Sequence, residues 1–253
     1  MKAKVSRIAL PIVIMVIYVA ATTVSVKAWY PPKIQILSPC NMTYATSSVP
    51  LTFTINKVAS WIGYSLDGQA NVTISGNSTL TALQDGTHYV VVYANDTCGT
   101  MGSSSTVYFA IDTTPPNISD VRQFPSTDNV LPQDEVKVNA TVTDDVSGVK
   151  LVTLFYAYAN SSGTWIRVAN MTRLEGNVWN GTIPNLPYGT NVTYTIFAED
   201  NVGNSITTAE MGYDIHYPVI PEFSPFLVMS LFIMVTLSAV IVYRRKIRSD
   251  IVG

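Results

Sequence analysis

The chain has 253 residues, of which 47% are hydrophobic and only 13% are charged, and its formal net charge is -2 at pH 7. The charge is unevenly divided, because residues 29–223 carry seven Lys and Arg against 16 Asp and Glu, whereas both ends are basic. An acidic central region of this kind excludes nucleic acid as a partner, since such binding needs clustered Lys and Arg.

Residues 1–28 have the pattern of a secretory signal peptide. Basic residues precede a short apolar run and two small residues, at Lys2, Lys4, Arg7, Ile8 to Ala21, Val26 and Ala28. Cleavage after Ala28 would make Trp29 the first residue of the mature chain. An uncleaved anchor is the alternative, although the apolar run is short for a membrane span.

The sequence pattern of the next region predicts a first set of strands. Alternating, β-branched or aromatic runs occur at Lys33 to Leu37, Pro50 to Ile55, Trp61 to Leu66, Ala70 to Ile74, His88 to Tyr93 and Thr106 to Ile111. Asp67-Gly68 and Asp85-Gly86 mark turns between them.

A second set of strands follows at Ile118 to Arg122, Glu135 to Thr143, Val149 to Tyr158, Thr164 to Val168, Asn177 to Ile183, Asn191 to Ala198 and Ser205 to Asp214. No segment between residues 29 and 218 shows a helical period. Six or seven short strands in each 80 to 100 residues are typical of a β-sandwich. We therefore predict an all-β protein with two tandem β-sandwiches, over residues 29–112 and 113–218.

The predicted boundary is Asp112-Thr113-Thr114-Pro115-Pro116, because adjacent prolines stiffen the chain. A short internal sequence repeat supports the prediction of two related modules. The segment Tyr93 to Gly99 resembles Phe197 to Asn204, 104 residues later, and each runs from an apolar strand into Asp and then Gly. This pattern favours a hairpin between the last two strands of each module.

Two cysteines, Cys40 and Cys98, lie in the central region. An even number of cysteines in an exported region favours a disulfide between them. A two-cysteine metal site is disfavoured, because neither histidine lies near them in the sequence.

Sequons for N-glycosylation begin at ten of the 16 asparagines in residues 29–223, which exceeds the number expected by chance. They are Asn41, Asn71, Asn77, Asn95, Asn117, Asn139, Asn160, Asn170, Asn180 and Asn191. The alternative is that Asn and Thr simply share solvent-facing strand and turn positions.

No residue pattern indicates catalysis. The two histidines have no metal-ligand spacing, and neither a nucleophile elbow nor a phosphate loop is present. Asp144-Asp145 and Glu199-Asp200 could supply glycosidase carboxylates, but neighbouring strand residues point to opposite faces. We predict that the protein is not an enzyme and needs no cofactor.

Acidic residues instead suggest calcium as a ligand. Asp112, Asp144, Asp145 and Asp200 supply hard oxygen ligands of the type that Ca²⁺ prefers, provided that their loops meet. The alternative is that Asp and Asn serve turn geometry alone. Trp61, Trp165 and Trp179 could form stacking platforms for a glycan, but core or cross-strand packing is the simpler interpretation.

The C-terminal region has the pattern of a membrane anchor. Residues 219–223 form a linker, and Ser224 to Tyr243 contains 20 residues without a charge, enough for a helix that spans roughly 30 Å. A basic tail over residues 244–253 follows, with Arg244, Arg245, Lys246 and Arg248. Basic clusters stay cytoplasmic, so the tail is predicted inside and the strands outside. A buried core helix is the alternative.

Three groups of residues resemble known families. Ile36-Leu37-Ser38-Pro39 and Tyr93-Ala94-Asn95-Asp96 resemble an immunoglobulin-like repeat common in archaeal cell-surface proteins. Asp112-Thr113-Thr114-Pro115-Pro116 with Ser147-Gly148-Val149 is similar to the immunoglobulin or fibronectin type III-like modules of such proteins. The tail, with Pro221-Glu222-Phe223, is similar to the PEF-CTERM class of archaeal sorting signals.

The last resemblance implies that an archaeosortase recognises Pro221, Glu222 and Phe223, removes the helix and attaches the rest to a lipid. Plain single-pass anchoring is the alternative. Taken together, the sequence predicts a glycosylated surface protein with a structural or adhesive role in the envelope. The alternative is an accessory module that binds a protein or glycan in a membrane-bound envelope complex.

Overall fold

The computed structural model describes residues 30–212, 215–221, 229, 230 and 232–240. The predicted signal peptide therefore lies outside the described residues. So do Glu222 and Phe223 of the sorting motif and the basic residues of the C-terminal tail.

Eighteen strands account for the regular structure of residues 30–212 and 215–221, so the all-β prediction is confirmed. They are β1 (Ile34–Ser38), β2 (Thr43–Tyr44), β3 (Val49–Ile55), β4 (Ala59–Leu66), β5 (Val72–Ile74), β6 (Ser78–Leu80), β7 (Gly86–Asp96), β8 (Met101–Ser103), β9 (Val107–Ile111), β10 (Asn117–Phe124), β11 (Val136–Thr143), β12 (Val149–Asn160), β13 (Gly163–Asn170), β14 (Thr172–Arg173), β15 (Val178–Ile183), β16 (Asn191–Asp200), β17 (Ser205–Thr207) and β18 (Ile215–Pro218).

The chain forms two compact units. The first contains the described residues up to Ser38, together with Pro50–Ser78 and Tyr89–Val107. The second contains Pro39–Val49, Thr79–His88 and the described residues from Tyr108 onwards. The boundaries of the two sandwiches predicted from sequence, at residues 112/113 and 218, remain predictions.

The first unit is built from antiparallel pairs. Strand β1 pairs with β3, and β4 pairs with both β5 and β7. Its buried apolar side chains come from alternate positions of β3 and β7, at Leu51, Phe53, Val90, Val92 and Ala94. The two-residue period of a strand places such residues on one face, which forms the core of this unit.

The second unit contains a β-sandwich. One sheet has the strand order β10-β11-β15-β14, and the other has the order β13-β12-β16-β17, with β18 also paired to β16. Lettered in chain order, β10, β11, β14 and β15 correspond to strands A, B, D and E of the immunoglobulin fold. The sheet order β10-β11-β15-β14 is then A-B-E-D, which is one of the two sheets of that fold. The predicted immunoglobulin-like topology is therefore present in this unit.

Both sheets contribute to one hydrophobic core in the second unit. The first sheet supplies residues such as Val138 and Ile183, and the second supplies Leu154, Ile196 and Tyr217. All of them are buried, at alternate positions of their strands. This alternation explains why the longer strands were predictable from sequence.

A hairpin follows the repeated segment in both units, as predicted, but in the first unit its second strand is β8, which was not predicted from the sequence. Strand β7 pairs with β8, and β16 pairs with β17. In both turns an aspartate begins the same hydrogen-bond pattern, since Asp96 N–H donates to Thr100 O and Asp200 N–H donates to Asn204 O, each at 3.0 Å.

The strand predicted from Ser205 to Asp214 was wrong in its extent. Strand β17 ends at Thr207, and residues 208–212 form turns in which Gly212 N–H donates to Ala209 O at 3.0 Å. The side chain of Thr208 is buried and its hydroxyl accepts the N–H of Ile196, so the chain bends inward here. Strands of two or three residues, such as β2, β6, β8 and β14, were missed because they are too short to show alternation.

Part of the predicted membrane helix lies within the described residues. Residues 229, 230 and 232–240 are helical, and their side chains are exposed. The rest of the predicted span from Ser224 to Tyr243 lies outside the described residues. Within the described part of the chain, no helix has both the length and the apolar character needed to cross a bilayer.

Candidate cation site

Three aspartates from separate parts of the second unit converge at one end of its sandwich. Asp112 follows β9, Asp144 follows β11, and Asp200 is the last residue of β16. One carboxylate oxygen of each lies within 4.8 Å of the other two. Asp112 is 1% exposed and Asp200 is 0% exposed, while Asp144 is half-buried.

Asp200 is held by the turn that it begins. Its Oδ1 accepts the backbone N–H groups of Val202, Gly203 and Asn204 at 2.9, 2.6 and 2.9 Å. Gly203 has φ +99, a conformation that side-chain-bearing residues rarely adopt, so glycine at this position lets the three N–H groups converge. The carboxylate orientation is therefore fixed by local sequence.

Asp144 is held in a similar way by the loop after β11. Its Oδ1 accepts the N–H groups of Ser147 at 2.9 Å and Gly148 at 2.6 Å. The N–H of Ser147 also donates to Asp112 Oδ2 at 3.0 Å, so this one group bridges two of the three carboxylates. Gly148 adopts a φ of +81, which allows the loop to close around Asp144.

Asparagine side chains connect the loops. Asn204 Nδ2 donates to Asp200 Oδ2 at 2.7 Å and to the backbone oxygen of Asp112 at 2.9 Å. Asn201 Nδ2 donates to the backbone oxygens of Ser147 and Gly148 at 2.7 and 3.0 Å. These bonds bring together residues that are far apart in the sequence.

The charged groups that meet in this cluster are all acidic. Ion pairs in the described part of the chain include Lys57 with Asp96 and Lys150 with Glu199. Among the described residues, no Lys or Arg pairs with the three aspartates. Like charges within 5 Å repel, and more strongly when they are buried. Backbone N–H groups offset part of this repulsion, and a cation with oxygen ligands would offset more. The all-oxygen donor set suits Ca²⁺, which takes six to eight such ligands.

A cleft of about 230 Å³ lies beside the cluster and is lined in part by Asp85, Asp112, Thr114 and Asp144. Asp85 caps the segment after β9, because its Oδ1 accepts the N–H and hydroxyl of Thr113 at 2.9 and 2.8 Å. Its Oδ2 accepts the hydroxyl of Thr114 at 2.5 Å. The Thr114 hydroxyl, more than the Thr113 groups, holds the pKa of the Asp85 carboxyl below its usual value of 3.8.

Three of the four aspartates predicted as calcium ligands therefore come together, and the fourth does not. Asp145 is exposed and lies outside the group formed by Asp112, Asp144 and Asp200. Glu199 and Asp200 are neighbours at the end of β16, so their side chains point to opposite faces of the sheet. Glu199 pairs with Lys150 at 2.5 Å.

Sequence reasoning missed the roles of four residues. Ser147 and Gly148 were identified as part of a resemblance, but not as the residues whose N–H groups bind Asp144. Asn204 was included in the repeated segment, without a role. Asp85 was seen only as a turn residue, and its bonds to Thr113 and Thr114 cross 28 and 29 positions of sequence. No local pattern indicates contacts over such distances.

The structure does not contain the predicted disulfide. Cys40 and Cys98 are both exposed, and no bond joins them. The N–H of Cys98 donates to Asp96 Oδ1 at 2.9 Å, as part of the turn after β7. An even cysteine count is compatible with a disulfide, but the bond also needs Cβ atoms about 4 Å apart, which sequence alone cannot establish.

The ten sequons differ in their surroundings. Six of their asparagines are exposed, namely Asn41, Asn71, Asn77, Asn117, Asn170 and Asn191. Asn139 and Asn180 face each other across β11 and β15, and their amides are joined by a 2.7 Å hydrogen bond. The Oδ1 of Asn95 is buried, and that of Asn77 accepts the N–H of Phe53 at 3.1 Å. Asn160 is half-buried at the end of β12, where its Oδ1 accepts the N–H of Ser162 at 2.9 Å.

The aromatic residues pack mainly within and across strands. Trp165 stacks on Tyr158 of the neighbouring strand, with ring centroids 5.2 Å apart. Trp61 is half-buried and its Nε1 donates to Thr73 Oγ1 at 3.0 Å. Its ring covers Gly63, where an added Cβ would lie 2.5 Å from the indole, so the ring packs along its own strand.

No family model matches the chain, and no curated protein matches it. Solved structures with a similar arrangement include the fibronectin(III)-like modules of Clostridium thermocellum CbhA, at 12% identity and a TM-score of 0.38, covering 76% of this chain and 97% of that one. A segment of titin is 15% identical with a TM-score of 0.45, covering 76% and 67%. A 1.5-MDa bacterial ice-binding adhesin involved in host cell surface retention is 15% identical with a TM-score of 0.39, covering 77% and 66%.

Proposed function

We propose that the chain is a non-enzymatic, glycosylated surface protein that is anchored by its C-terminus and has a structural or adhesive role in the cell envelope. Its partners would be the membrane and the proteins or glycans of the envelope. The observation that carries the proposal is where the chain leaves the second unit. It leaves toward the apolar C-terminal region at the end of the sandwich opposite to the acidic cluster.

Strand β16 joins these two ends. It begins at Asn191, which pairs with Pro218 of β18, just before the chain leaves the sandwich. It ends at Asp200, in the acidic cluster. Ten residues of extended chain cover about 33 Å. An anchor after residue 221 would therefore leave the acidic end of this unit pointing away from the membrane.

The described helical residues support an anchor. Residues 229, 230 and 232–240 contain no charged residue, and large apolar side chains such as Phe232 and Val235 are exposed. The hydroxyls of Thr236 and Ser238 donate to the backbone oxygens of Phe232 and Met234 at 2.9 and 2.8 Å. Polar groups satisfied within the helix suit a hydrocarbon environment, where water is absent.

A membrane-impermeant amine reagent applied to intact cells tests the topology. Lys33 and Lys137 are exposed on the described part of the chain and should be labelled, whereas Lys246 should be labelled only after permeabilisation. Modification of Lys246 in intact cells, or protection of Lys33 and Lys137, would refute the proposed orientation. Mass spectrometry of the C-terminus then distinguishes a retained helix from removal by an archaeosortase-like enzyme.

A calcium ion that stiffens the acidic end is a second proposal, favoured by the convergence of Asp112, Asp144 and Asp200 without a basic partner. A ligand that binds only the folded state stabilises it by about 2.7 kcal/mol at 100 times its Kd. The full chain in lipid nanodiscs should therefore melt at a higher temperature in calcium than in chelator. An unchanged melting temperature refutes the calcium site and leaves the surface role intact.

A further inference from the structure

The second sheet of the sandwich presents an apolar surface to solvent. Phe155 and Ala157 of β12 lie opposite Val168 and Ile166 of β13. Ile166 is 71% exposed and Val168 is 58% exposed. We call these four residues the apolar outer face; residues Phe155, Ala157 and Ile166 also line a cleft of about 300 Å³.

Such a surface is unusual for an antiparallel sheet. One face of these sheets packs on the core, and the other normally carries polar residues toward water. The neighbouring residues Leu154 and Tyr156 are buried in the core, so Phe155 and Ala157 occupy positions where polar residues are expected. Contiguous exposed apolar residues promote association between molecules.

The same surface includes an edge strand without the usual protection. Strand β13 is at the end of its sheet, and all eight of its residues pair with β12 without a bulge. It contains no Pro or Lys, the residues that commonly protect such edges. Its one charged residue, Arg167, lies opposite Tyr156 and has its guanidinium 6.0 Å from the Tyr158 ring, on the other face.

Two exposed sequon asparagines lie on this face. Asn170 is two residues after Val168 on β13, so both side chains point to the same side of the sheet. Asn191 lies opposite Ala159 on β12, on the face that also carries Ala157. Positions two residues apart on one strand are separated by about 7 Å. Both asparagines are exposed, and both stand at an end of their strand.

At other sequons, the side-chain amide of the asparagine is buried or already hydrogen-bonded within the fold. Asn139 and Asn180 bond to each other across two strands, and a cross-strand pair has Cβ atoms about 5 Å apart, which leaves no room for two glycans. Asn95 has a buried amide oxygen. The strand-face pattern of Asn and Thr therefore accounts for these sequons without modification.

We propose that glycans on Asn170 and Asn191 cover the apolar outer face and prevent association between copies of the chain through it. A glycan is bulky and strongly hydrated, so it replaces the missing polar surface and blocks access to the edge of β13. This inference rests on the proposed function, because it requires that the sandwich is exported and glycosylated.

The first test is glycopeptide mass spectrometry of the full chain purified from the cells that produce it. Asn170 and Asn191 should carry glycans, and Asn95 should not. A bare Asn170 or Asn191, or a glycan on Asn95, overturns the inference. If the amine-labelling experiment shows the sandwich outside the cell while these asparagines are bare, the inference alone fails; an internal sandwich refutes the proposed function as well.

The second test measures the consequence of losing the two glycans. The double variant Asn170→Gln/Asn191→Gln, with one copy in each lipid nanodisc, should sediment as paired or larger assemblies. The matched control Asn41→Gln/Asn71→Gln removes two exposed sequons elsewhere and should sediment like the parent protein. Equal sedimentation of the double variant and the control overturns the inference.

A rescue variant distinguishes shielding from a general loss of solubility. Adding Ile166→Lys to the double variant places a charge on the same face of the edge strand, which is an alternative way to block strand pairing. The triple variant should return to single nanodiscs. Persistent association of the triple variant overturns the assignment of the contact to the apolar outer face. Exposed substitutions of this kind change stability little, and thermal unfolding checks that each variant is folded.

Discussion

Single carboxylates fix the loops at the acidic end of the second unit and the last hairpin of the first unit. Asp96 Oδ1 accepts the N–H groups of Cys98 and Thr100, and Asp200 Oδ1 accepts those of Val202 and Asn204. The repeated offsets of two and four residues give the two turns the same structure. At Asp200 the same bonds also orient a carboxylate toward Asp112 and Asp144, which Asp96 lacks as neighbours.

These carboxylates predict how stability depends on pH. The pKa of Asp85 is lowered from 3.8 mainly by the Thr114 hydroxyl, and that of Asp96 is lowered mainly by the N–H of Thr100. A lowered native pKa stabilises the fold fully above the unfolded value and loses that contribution as the pH falls through the native value. Unfolding in urea should therefore become easier below about pH 4. Asp85→Asn should flatten this dependence, because it removes the carboxylate that accepts the hydroxyls of Thr113 and Thr114.

The same residues allow a test of calcium binding by substitution. Asp112→Asn keeps the shape of a buried side chain but removes a charged ligand, so the rise in melting temperature caused by calcium should largely disappear. Asp145→Asn should retain the rise, because Asp145 lies outside the converging group. The measurement is the difference between melting temperatures in calcium and in chelator, so a loss of intrinsic stability in either variant does not affect it. A full calcium response in Asp112→Asn would contradict the assignment.

Secondary structure elements were predictable where alternation continued over five or more residues. Strands β3, β11 and β16 alternate between buried and less buried positions along most of their length. Strand β13 shows the opposite case, because Ile166 and Val168 have the alternation of a buried face but point to solvent. Sequence alternation identifies the strand and its two faces, while the packing of the sheets decides which face is buried.

Close backbone contacts predict which glycines cannot be replaced. A Cβ at Gly102 of β8 would lie 2.1 Å from the backbone oxygen of Pro32, whereas a Cβ at Gly76 would have no neighbour within 4 Å. Gly102→Ala should therefore lower the free energy of unfolding by about 1–3 kcal/mol or more. Gly76→Ala is the matched control and should be close to neutral in urea denaturation. Equal stability of the two variants would show that the β8 contact is not rigid.

On the scale of the whole molecule, acidic residues and apolar residues are concentrated in different parts of the chain. The exposed apolar helix of residues 232–240 lies C-terminal to the sandwich, whose distant end carries the acidic cluster. The apolar outer face lies on the side of the sandwich, between these ends, since β12 runs from Val149, opposite Asp200, to Ala159, opposite Asn191. The candidate cation site and the proposed glycan shield therefore occupy different surfaces and can be tested separately.

The proposed anchor predicts the effect of a charge in the helix. Arg at the centre of a membrane helix costs about 2.5–3.5 kcal/mol on insertion scales. Val235→Arg should therefore shift protein from the membrane fraction to the medium. Val235→Leu preserves the apolar character and should leave the distribution unchanged. Quantitative immunoblots of the two fractions measure this, and retention of Val235→Arg in the membrane would contradict the anchor.

The sequence by itself determined the all-β class, the longer strands and the two repeated hairpins, because these depend on alternation and on turn residues close in the chain. It also identified the acidic residues and the sequons, as residue types with known chemistry. Only the tertiary structure brought Asp112, Asp144 and Asp200 together, set Asp145 apart, and separated exposed Asn170 from the bonded pair Asn139 and Asn180. These relations depend on strand register and on contacts across many residues, which no local pattern encodes.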